Sequence, residues 1–100
     1  MSFGLADKTI QLINLVFSEY EDIEEVIIYG SRVKGSFKNG SDIDLTLKGK
    51  DLTLKTMFSI EDKLDDLLLP YTIDISIFSQ INNSELIDHI NRLGEVFYQK

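Results

Sequence analysis

Two segments alternate between polar and apolar residues, and this alternation constrains the fold more than any other feature of the sequence. From Asp42 to Lys48, the even positions are polar and the odd positions are isoleucine or leucine. The pattern returns from Thr72 to Phe78, with isoleucine at positions 73, 75 and 77. A period of two places successive side chains on opposite faces of a strand. Each segment is therefore predicted to be a half-buried strand with one polar and one apolar face.

A third strand is predicted at residues 26–29, where the run Val-Ile-Ile-Tyr stops at Gly30. Short runs rich in β-branched residues and bounded by glycine are typical of buried strands. Helical spacing of apolar residues predicts an amphipathic helix over residues 5–20. A second helix is predicted to start at a capping residue, Asp51 or Thr53, and to continue until Pro70 ends it.

A last helix is predicted to start at Asn82 or Asn83 and to close at Gly94 in a left-handed cap. The tail at residues 96–98 could add a short extended piece. The resulting order is helix, strand, strand, helix, strand, helix. It predicts an α/β or α+β fold, with a small mixed sheet of about three strands flanked by helices.

Composition limits the kind of protein that this chain can be. One hundred residues, 43% of them apolar, suffice for one modest core, so we expect a single domain over residues 1–100. The net charge of −7 argues against direct binding to nucleic acid or to an anionic membrane. No cysteine is available for disulfides or thiolate metal sites, and no apolar run approaches the ~20 residues of a membrane span. We therefore expect a cytoplasmic protein.

Three aspartates occupy the polar faces of the alternating strands. Asp42 and Asp44 are two residues apart, so they project to the same side, and Asp74 lies at the centre of the other polar face. If the two strands are neighbours with their apolar faces on the same helices, the three carboxylates share one surface and repel one another. A hard divalent cation would relieve this repulsion, and Mg²⁺ fits best. The alternative interpretation is a solvated polar sheet face.

A second candidate element, Gly30-Ser31, lies where the first predicted strand meets a turn. Glycine lets a phosphate approach the backbone, and the serine hydroxyl can donate a hydrogen bond to it. Residues 26–50 contain five basic and two acidic residues, a local charge of +3, so the other 75 residues carry −10. Arg32 and Lys34 are candidates for compensating phosphate charge. The alternative is an ordinary strand-ending turn.

Together these motifs resemble a known signature. Gly30-Ser31-Arg32-x-x-Gly35, Ser41-Asp42-Ile43-Asp44-Leu45 and Ile73-Asp74-Ile75 are similar to the motifs of the polymerase β-like nucleotidyltransferase superfamily. Within it, the short chain and the Gly-Ser-Arg form resemble the minimal nucleotidyltransferases, which are related to the catalytic domain of kanamycin nucleotidyltransferase. The resemblance covers essentially the whole chain.

The resemblance implies a reaction and its residues. Asp42 and Asp44 would bind two Mg²⁺ ions, while Asp74 would join one of them and help to activate the acceptor hydroxyl. Gly30 and Ser31 would hold the β- and γ-phosphates of a nucleoside triphosphate, which the resemblance implies to be ATP. A nucleotidyl group would pass to the acceptor hydroxyl, and pyrophosphate would be released.

The resemblance also implies a partner. Small members of this group are paired with an all-helical HEPN-domain protein, a ribonuclease-like toxin that they modify by adding AMP. Two alternatives stay open: an antitoxin or assembly module that acts by contact alone, and an enzyme that modifies a small aminoglycoside-like acceptor. His89 is assigned no role. The tyrosines are interpreted as core or partner contacts.

Overall fold

A computed structural model describes residues 2–38 and 40–100, with a four-stranded sheet at the centre. The elements are α1 (Asp7–Ser18), β1 (Glu25–Tyr29), α2 (Ser31–Lys34), β2 (Ile43–Lys48), α3 (Leu54–Asp65), β3 (Ile73–Ile77), a 3₁₀ turn (Phe78–Gln80), α4 (Ser84–Leu93) and β4 (Glu95–Gln99). The strand order is β3-β2-β1-β4, with β2 and β3 parallel and the other two pairs antiparallel. The predicted mixed sheet flanked by helices is confirmed, with four strands in the described residues instead of about three.

The sheet separates two clusters of apolar side chains. On one face, the odd-numbered residues of β2, with Ile73 and Ile75 of β3, pack with residues of β1, α1 and α3 in the main core. Fully buried members of this core include Leu45 of β2, Ile13 and Phe17 of α1, and Ile60 of α3. A smaller cluster on the other side of β1 joins Ile27 and Tyr29 to α4. The even-numbered residues of β2 and β3 therefore lie on the face that α4 covers in part.

The extra strand, β4, is formed by the tail of the chain. It pairs with β1 along an edge of the sheet, and its register shifts between Val26 and Ile27 of β1. Phe97 is buried in the main core, whereas Val96 is half exposed. One buried side chain in five residues gives little periodicity, which is why the sequence indicates only a short extended piece.

The second predicted helix ends earlier than expected. Its last residue is Asp65, so the prediction that Pro70 ends it is wrong by several residues. After Asp65 the hydrogen bonds join residues three apart instead of four. Leu67 N–H bonds to the Leu64 carbonyl, and Leu68 N–H bonds to the Asp65 carbonyl. Leu68 then takes a φ of 54°, which a right-handed helix cannot accommodate. Pro70 follows a helix that has already stopped.

The ends of the helices resolve the remaining alternatives. Thr53, not Asp51, accepts the Thr56 N–H at the start of α3. Asn83, not Asn82, accepts from two backbone N–H groups at the start of α4.

The left-handed cap predicted at Gly94 is wrong, because this residue is extended with φ −65° and ψ 148°. Glycine is required there for space, since a Cβ would lie 2.5 Å from both Ile27 Cγ2 and the Ile90 carbonyl oxygen.

No helix in residues 2–38 and 40–100 has the length and apolar character needed to cross a membrane.

Candidate functional site

Strand register brings two of the predicted aspartates side by side. In the parallel pairing of β2 with β3, Asp44 lies opposite Asp74. Neighbouring strands are about 4.8 Å apart, so these two side chains emerge next to each other on the same face. Asp42 precedes Asp44 by two residues and shares its parity. We call Asp42, Asp44 and Asp74 the acidic face.

The carboxylates of the acidic face influence one another. Asp42 and Asp74 are exposed, while Asp44 lies between them and is partly buried. Burial raises the pKa of the Asp44 carboxyl above its ordinary value, and the negative charges of Asp74 and Asp42 raise it further. The ionised form of Asp44 is thus disfavoured by both lost hydration and repulsion. A cation bound at this face would offset the repulsion and favour the ionised form of Asp44.

The donor chemistry of the acidic face suits magnesium. In residues 2–38 and 40–100, no three acidic, histidine or cysteine side chains form a ready metal-binding group. Mg²⁺ does not need such a cage, because it keeps several waters and usually takes one or two carboxylates together with substrate phosphates. The adjacent carboxylates of Asp44 and Asp74 can supply these one or two ligands, and their negative charge attracts a cation. The residues present therefore fit Mg²⁺ whose other ligands come from water and substrate.

Gly30 joins β1 to α2 directly beside the acidic face. Its φ of 85° and ψ of −152° belong to a region that is nearly exclusive to glycine. A Cβ at this position would lie 2.5 Å from Asp44 Oδ2, so the carboxylate occupies the space that a side chain would need. The predicted phosphate-binding turn and the predicted metal-binding carboxylate are therefore in contact.

Ser31 and Lys34 are the first and last residues of the short helix α2. Ser31 is partly buried next to Gly30, whereas Lys34 is exposed at the other end of the helix. Gly35 closes α2 with a left-handed φ of 80°, and its N–H bonds to the Ser31 carbonyl. Ser31 thus lies with the glycine turn, and Lys34 lies one helical turn away from it. Four residues are too few for a helical period, so the sequence did not predict α2.

Arg32, a predicted candidate for compensating phosphate charge, is buried. Its side chain is only 4% exposed. Nε and Nη2 donate to the Ser41 carbonyl at 3.2 and 2.8 Å, and Nη1 donates to the Phe3 carbonyl at 2.9 Å. The guanidinium also lies over the rings of Phe37 and Tyr71, 5.1 and 5.0 Å from their centroids. These contacts favour a role in holding the loop over contact with phosphate.

Two residues that sequence reasoning left without a site role lie against the glycine turn. His89 of α4 accepts a hydrogen bond from the Gly30 N–H through Nε2, at 3.2 Å. Its ring meets the Tyr29 ring edge-on, with centroids 6.2 Å apart. No sequence signal links these residues, because 59 positions separate Gly30 from His89 and only folding brings α4 onto β1.

Tyr29 lies opposite Asp44 in the antiparallel pairing of β1 with β2, so its side chain is on the same face of the sheet. Burial raises the pKa of the Tyr29 phenol, a hydrogen bond with Ser76 lowers it, and the charges of Asp44 and Asp74 raise it. The phenol is thus a buried hydroxyl within the electrostatic field of the acidic face. Ser76 in turn donates to Thr46 Oγ1 at 2.9 Å. The hydroxyl groups of Tyr29, Ser76 and Thr46 therefore lie on the same face of the sheet as Asp44 and Asp74.

The site thus combines adjacent carboxylates on a mixed sheet with a glycine turn that touches one of them. The family model described as polymerase beta, nucleotidyltransferase matches residues 11–100. The chain belongs to this family of nucleotidyltransferases. No match is found among curated proteins.

Solved structures share this fold. A chain in a crystal structure of a toxin-antitoxin with AMP-PNP is 20% identical, with a TM-score of 0.73 over 96% of this chain and 75% of that one. A chain of the toxin-antitoxin MntA-HepT is 15% identical, with a TM-score of 0.67 over 95% and 74% of the two chains. A chain in the complex of tri-AMPylated Shewanella oneidensis HEPN toxin with MNT antitoxin is 16% identical, with a TM-score of 0.64 over 92% and 70%. At these identities the likeness shows a common fold.

Proposed function

We propose that this domain transfers AMP from ATP to an acceptor hydroxyl in a Mg²⁺-dependent reaction. The observation that carries the proposal is the contact of three elements at one place. Asp44 lies beside Asp74 by strand register, and Gly30 packs against the Asp44 carboxylate. Family membership supports the reaction class, and a fold shared with a protein crystallised with AMP-PNP supports the nucleotide.

Each residue of the site would have a defined part in this reaction. Asp42 and Asp44 would hold two Mg²⁺ ions, with Asp74 on one of them, and bound Mg²⁺ would lower the charge on the attacking and leaving oxygens. Asp74 would also orient the acceptor hydroxyl and take its proton. Gly30 would admit the β- and γ-phosphates to the backbone, and the Ser31 hydroxyl would donate to a phosphate oxygen. The acceptor oxygen would form a bond to the α-phosphorus. The bond between the α-phosphorus and the oxygen that bridges to the β-phosphate would break, and this oxygen would leave as part of pyrophosphate.

Titration calorimetry with Mg-ATP tests the nucleotide site. The variant Asp42→Ala/Asp44→Ala is expected to bind at least tenfold more weakly than the wild type, because it lacks the carboxylates that would hold the metal. The matched control Asp62→Ala/Asp65→Ala removes the same charge from exposed positions of α3 and is expected to bind normally. Equal affinity in the wild type and the acidic-face variant, or no binding in either, would contradict the proposal.

For the acceptor, we propose an all-helical HEPN-domain partner, with this chain as its antitoxin. The support is the shared fold with chains of MntA-HepT and of the complex that contains an AMPylated HEPN toxin. The transfer would place AMP on a hydroxyl side chain of the partner. Incubating the candidate partner with this protein and Mg-ATP is expected to add the mass of AMP to the partner.

Co-expression separates transfer from neutralisation by contact alone. The variant Asp42→Ala/Asp44→Ala/Asp74→Ala is expected to leave the partner toxic and unmodified. If the variant neutralised the partner fully, contact would suffice and transfer would not be the mechanism. An AMP adduct on an aminoglycoside and none on the partner would favour the small-molecule alternative.

A further inference from the structure

The hydrogen bond between His89 and Gly30 has no part in the chemistry described above. His89 is the only histidine of the chain, and it is partly buried on α4. Its Nε2 accepts the N–H of the residue on which the glycine turn depends. Nε2 accepts through its ring lone pair, so His89 interacts with the backbone of the turn as a hydrogen-bond acceptor.

The position of His89 is itself fixed. The next residue, Ile90, is 2% exposed and packs with Ile27 and Tyr29 of β1. The His89 ring also contacts the Tyr29 ring edge-on. Burial of Ile90 therefore holds this turn of α4 on β1, and the Tyr29 ring holds the imidazole where β1 ends and the glycine turn begins.

The backbone of Gly30 needs such support. With no side chain, glycine has the largest range of backbone conformations to lose, and the observed φ of 85° and ψ of −152° is only one of them. Its carbonyl accepts from Val33 and Lys34, both at 3.2 Å, so α2 fixes one side of the residue. The bond to His89 fixes the other side, at the peptide plane that joins Tyr29 to Gly30.

We propose that His89 is a positioning residue for nucleotide binding. By accepting the Gly30 N–H, it holds the turn open to phosphate and keeps Gly30 against the Asp44 carboxylate. This inference rests on the proposed function, since it assumes that the turn receives phosphates. It assigns His89 no contact with the nucleotide and no proton transfer.

A pair of amide variants tests the inference. Glutamine can place its side-chain oxygen near the location of Nε2, whereas asparagine has the same amide group but is too short. His89→Gln is therefore expected to keep Mg-ATP affinity within twofold of the wild type. His89→Asn is expected to bind about fivefold more weakly, the effect of losing one neutral hydrogen bond. Thermal unfolding of both variants separates this effect from loss of the fold.

The Gly30 amide provides a readout that does not depend on nucleotide. In nucleotide-free protein, the Gly30 amide proton resonance is expected to stay close to its wild-type position in His89→Gln and to move upfield in His89→Asn. If the wild type fails to bind Mg-ATP, the proposed function fails, while the amide resonance still reports on the hydrogen bond. If the wild type binds and both variants bind equally well, the inference is overturned. Tighter binding by His89→Asn would also overturn it, since His89 would then block the turn.

Discussion

Gly30 combines a backbone conformation that needs glycine with a neighbour that leaves no room for a side chain. Gly35 shares the first property alone, because its φ is 80° and a Cβ there would have nothing within 4 Å. The two glycines thus form a natural pair in which only one touches the site. The comparison separates the cost of backbone strain from the cost of moving Asp44.

Gly30→Ala is expected to weaken Mg-ATP binding more than tenfold, because the new methyl group displaces the Asp44 carboxylate or the turn. Gly35→Ala is expected to retain binding. Each substitution costs about 1–3 kcal/mol of stability from a positive φ. Calorimetric titration and denaturant unfolding of both variants measure the two effects. Similar losses of affinity in both variants would mean that strain alone accounts for the need for glycine.

The ionised Asp44 carboxylate, which the proposed metal binding requires, lowers the stability of the fold. Because its pKa is raised above the reference value of 3.8, the folded protein holds the proton more tightly than the unfolded chain does. Stability from this group is fully present below pH 3.8 and is lost as the pH rises through the raised pKa. At neutral pH the ionised carboxylate therefore destabilises the nucleotide-free protein.

Asp44→Asn is accordingly expected to raise the melting temperature at pH 7 by a few degrees while it abolishes transfer. The difference from the wild type should shrink as the pH is lowered through the raised pKa of Asp44 toward the reference value of 3.8, because the wild-type carboxyl then also becomes neutral. Melting curves across this range measure the effect, and Asp62→Asn on α3 serves as an exposed control. A lower melting temperature for Asp44→Asn at pH 7 would show that its carboxylate stabilises the fold.

Individual residues of the site differ in how far the sequence could predict them. The even spacing of Asp42 and Asp44 and the isoleucines around Asp74 already indicated that they share a polar sheet face. The burial of Arg32 could not be inferred, because it depends on Phe3 and Tyr71 from distant parts of the chain. The contact of His89 depends likewise on how α4 packs. A local pattern predicts which residues share a face of the sheet, but it does not predict which residues from distant parts of the chain pack against them.

At the scale of elements, Arg32 connects segments that no strand pairing joins. Its guanidinium links α2 to the carbonyl of Ser41, the residue immediately before Asp42, and to Phe3 ahead of α1. One buried side chain thus links α2 to the residues just before β2, in addition to the strand pairing of Tyr29 with Asp44. Lys34, two residues further along, is exposed at the end of the same helix.

Arg32→Ala is expected to lower the free energy of unfolding by about 2–3 kcal/mol, because it leaves two carbonyl groups without their donors and removes packing against two rings. Arg32→Lys should recover only part of this loss, since an ammonium cannot reproduce the fork of donors. Lys34→Ala is expected to change stability by less than about 0.5 kcal/mol. Chemical denaturation measures all three. Unchanged stability with weaker Mg-ATP binding in Arg32→Ala would instead support direct phosphate contact.

Elements whose apolar residues are largely buried along their whole length could be predicted from the sequence. The end of a helix whose apolar residues are exposed could not. Strands β2 and β3 alternate over their whole length, so their type and faces followed from the sequence. The end of α3 did not, because Leu67 and Leu68 continue the apolar spacing beyond the last helical residue. Leu68 is 88% exposed, so its apolar character marks no buried face. The pattern alone cannot distinguish such a residue from a core residue.

For the molecule as a whole, the two faces of the sheet are unequally covered. The main core lies between one face and helices α1 and α3, whereas on the other face α4 packs on β1. Strand β3, which carries Asp74, is at the edge of the sheet, and Asp74 itself is exposed. The acidic face is therefore open on the β3 side, where an acceptor as large as a protein surface could approach.

The parallel register of β2 and β3 gives the site a cooperative character. Asp44 and Asp74 are brought together by strand pairing across the intervening helix α3, and not by a bond between their side chains. A slip of one residue would turn Asp74 toward the core and present Ile73 or Ile75 to the nucleotide. In the proposed mechanism, transfer therefore requires that β3 is paired with β2 in its native register. A variant that weakens this pairing is expected to lose stability and transfer together.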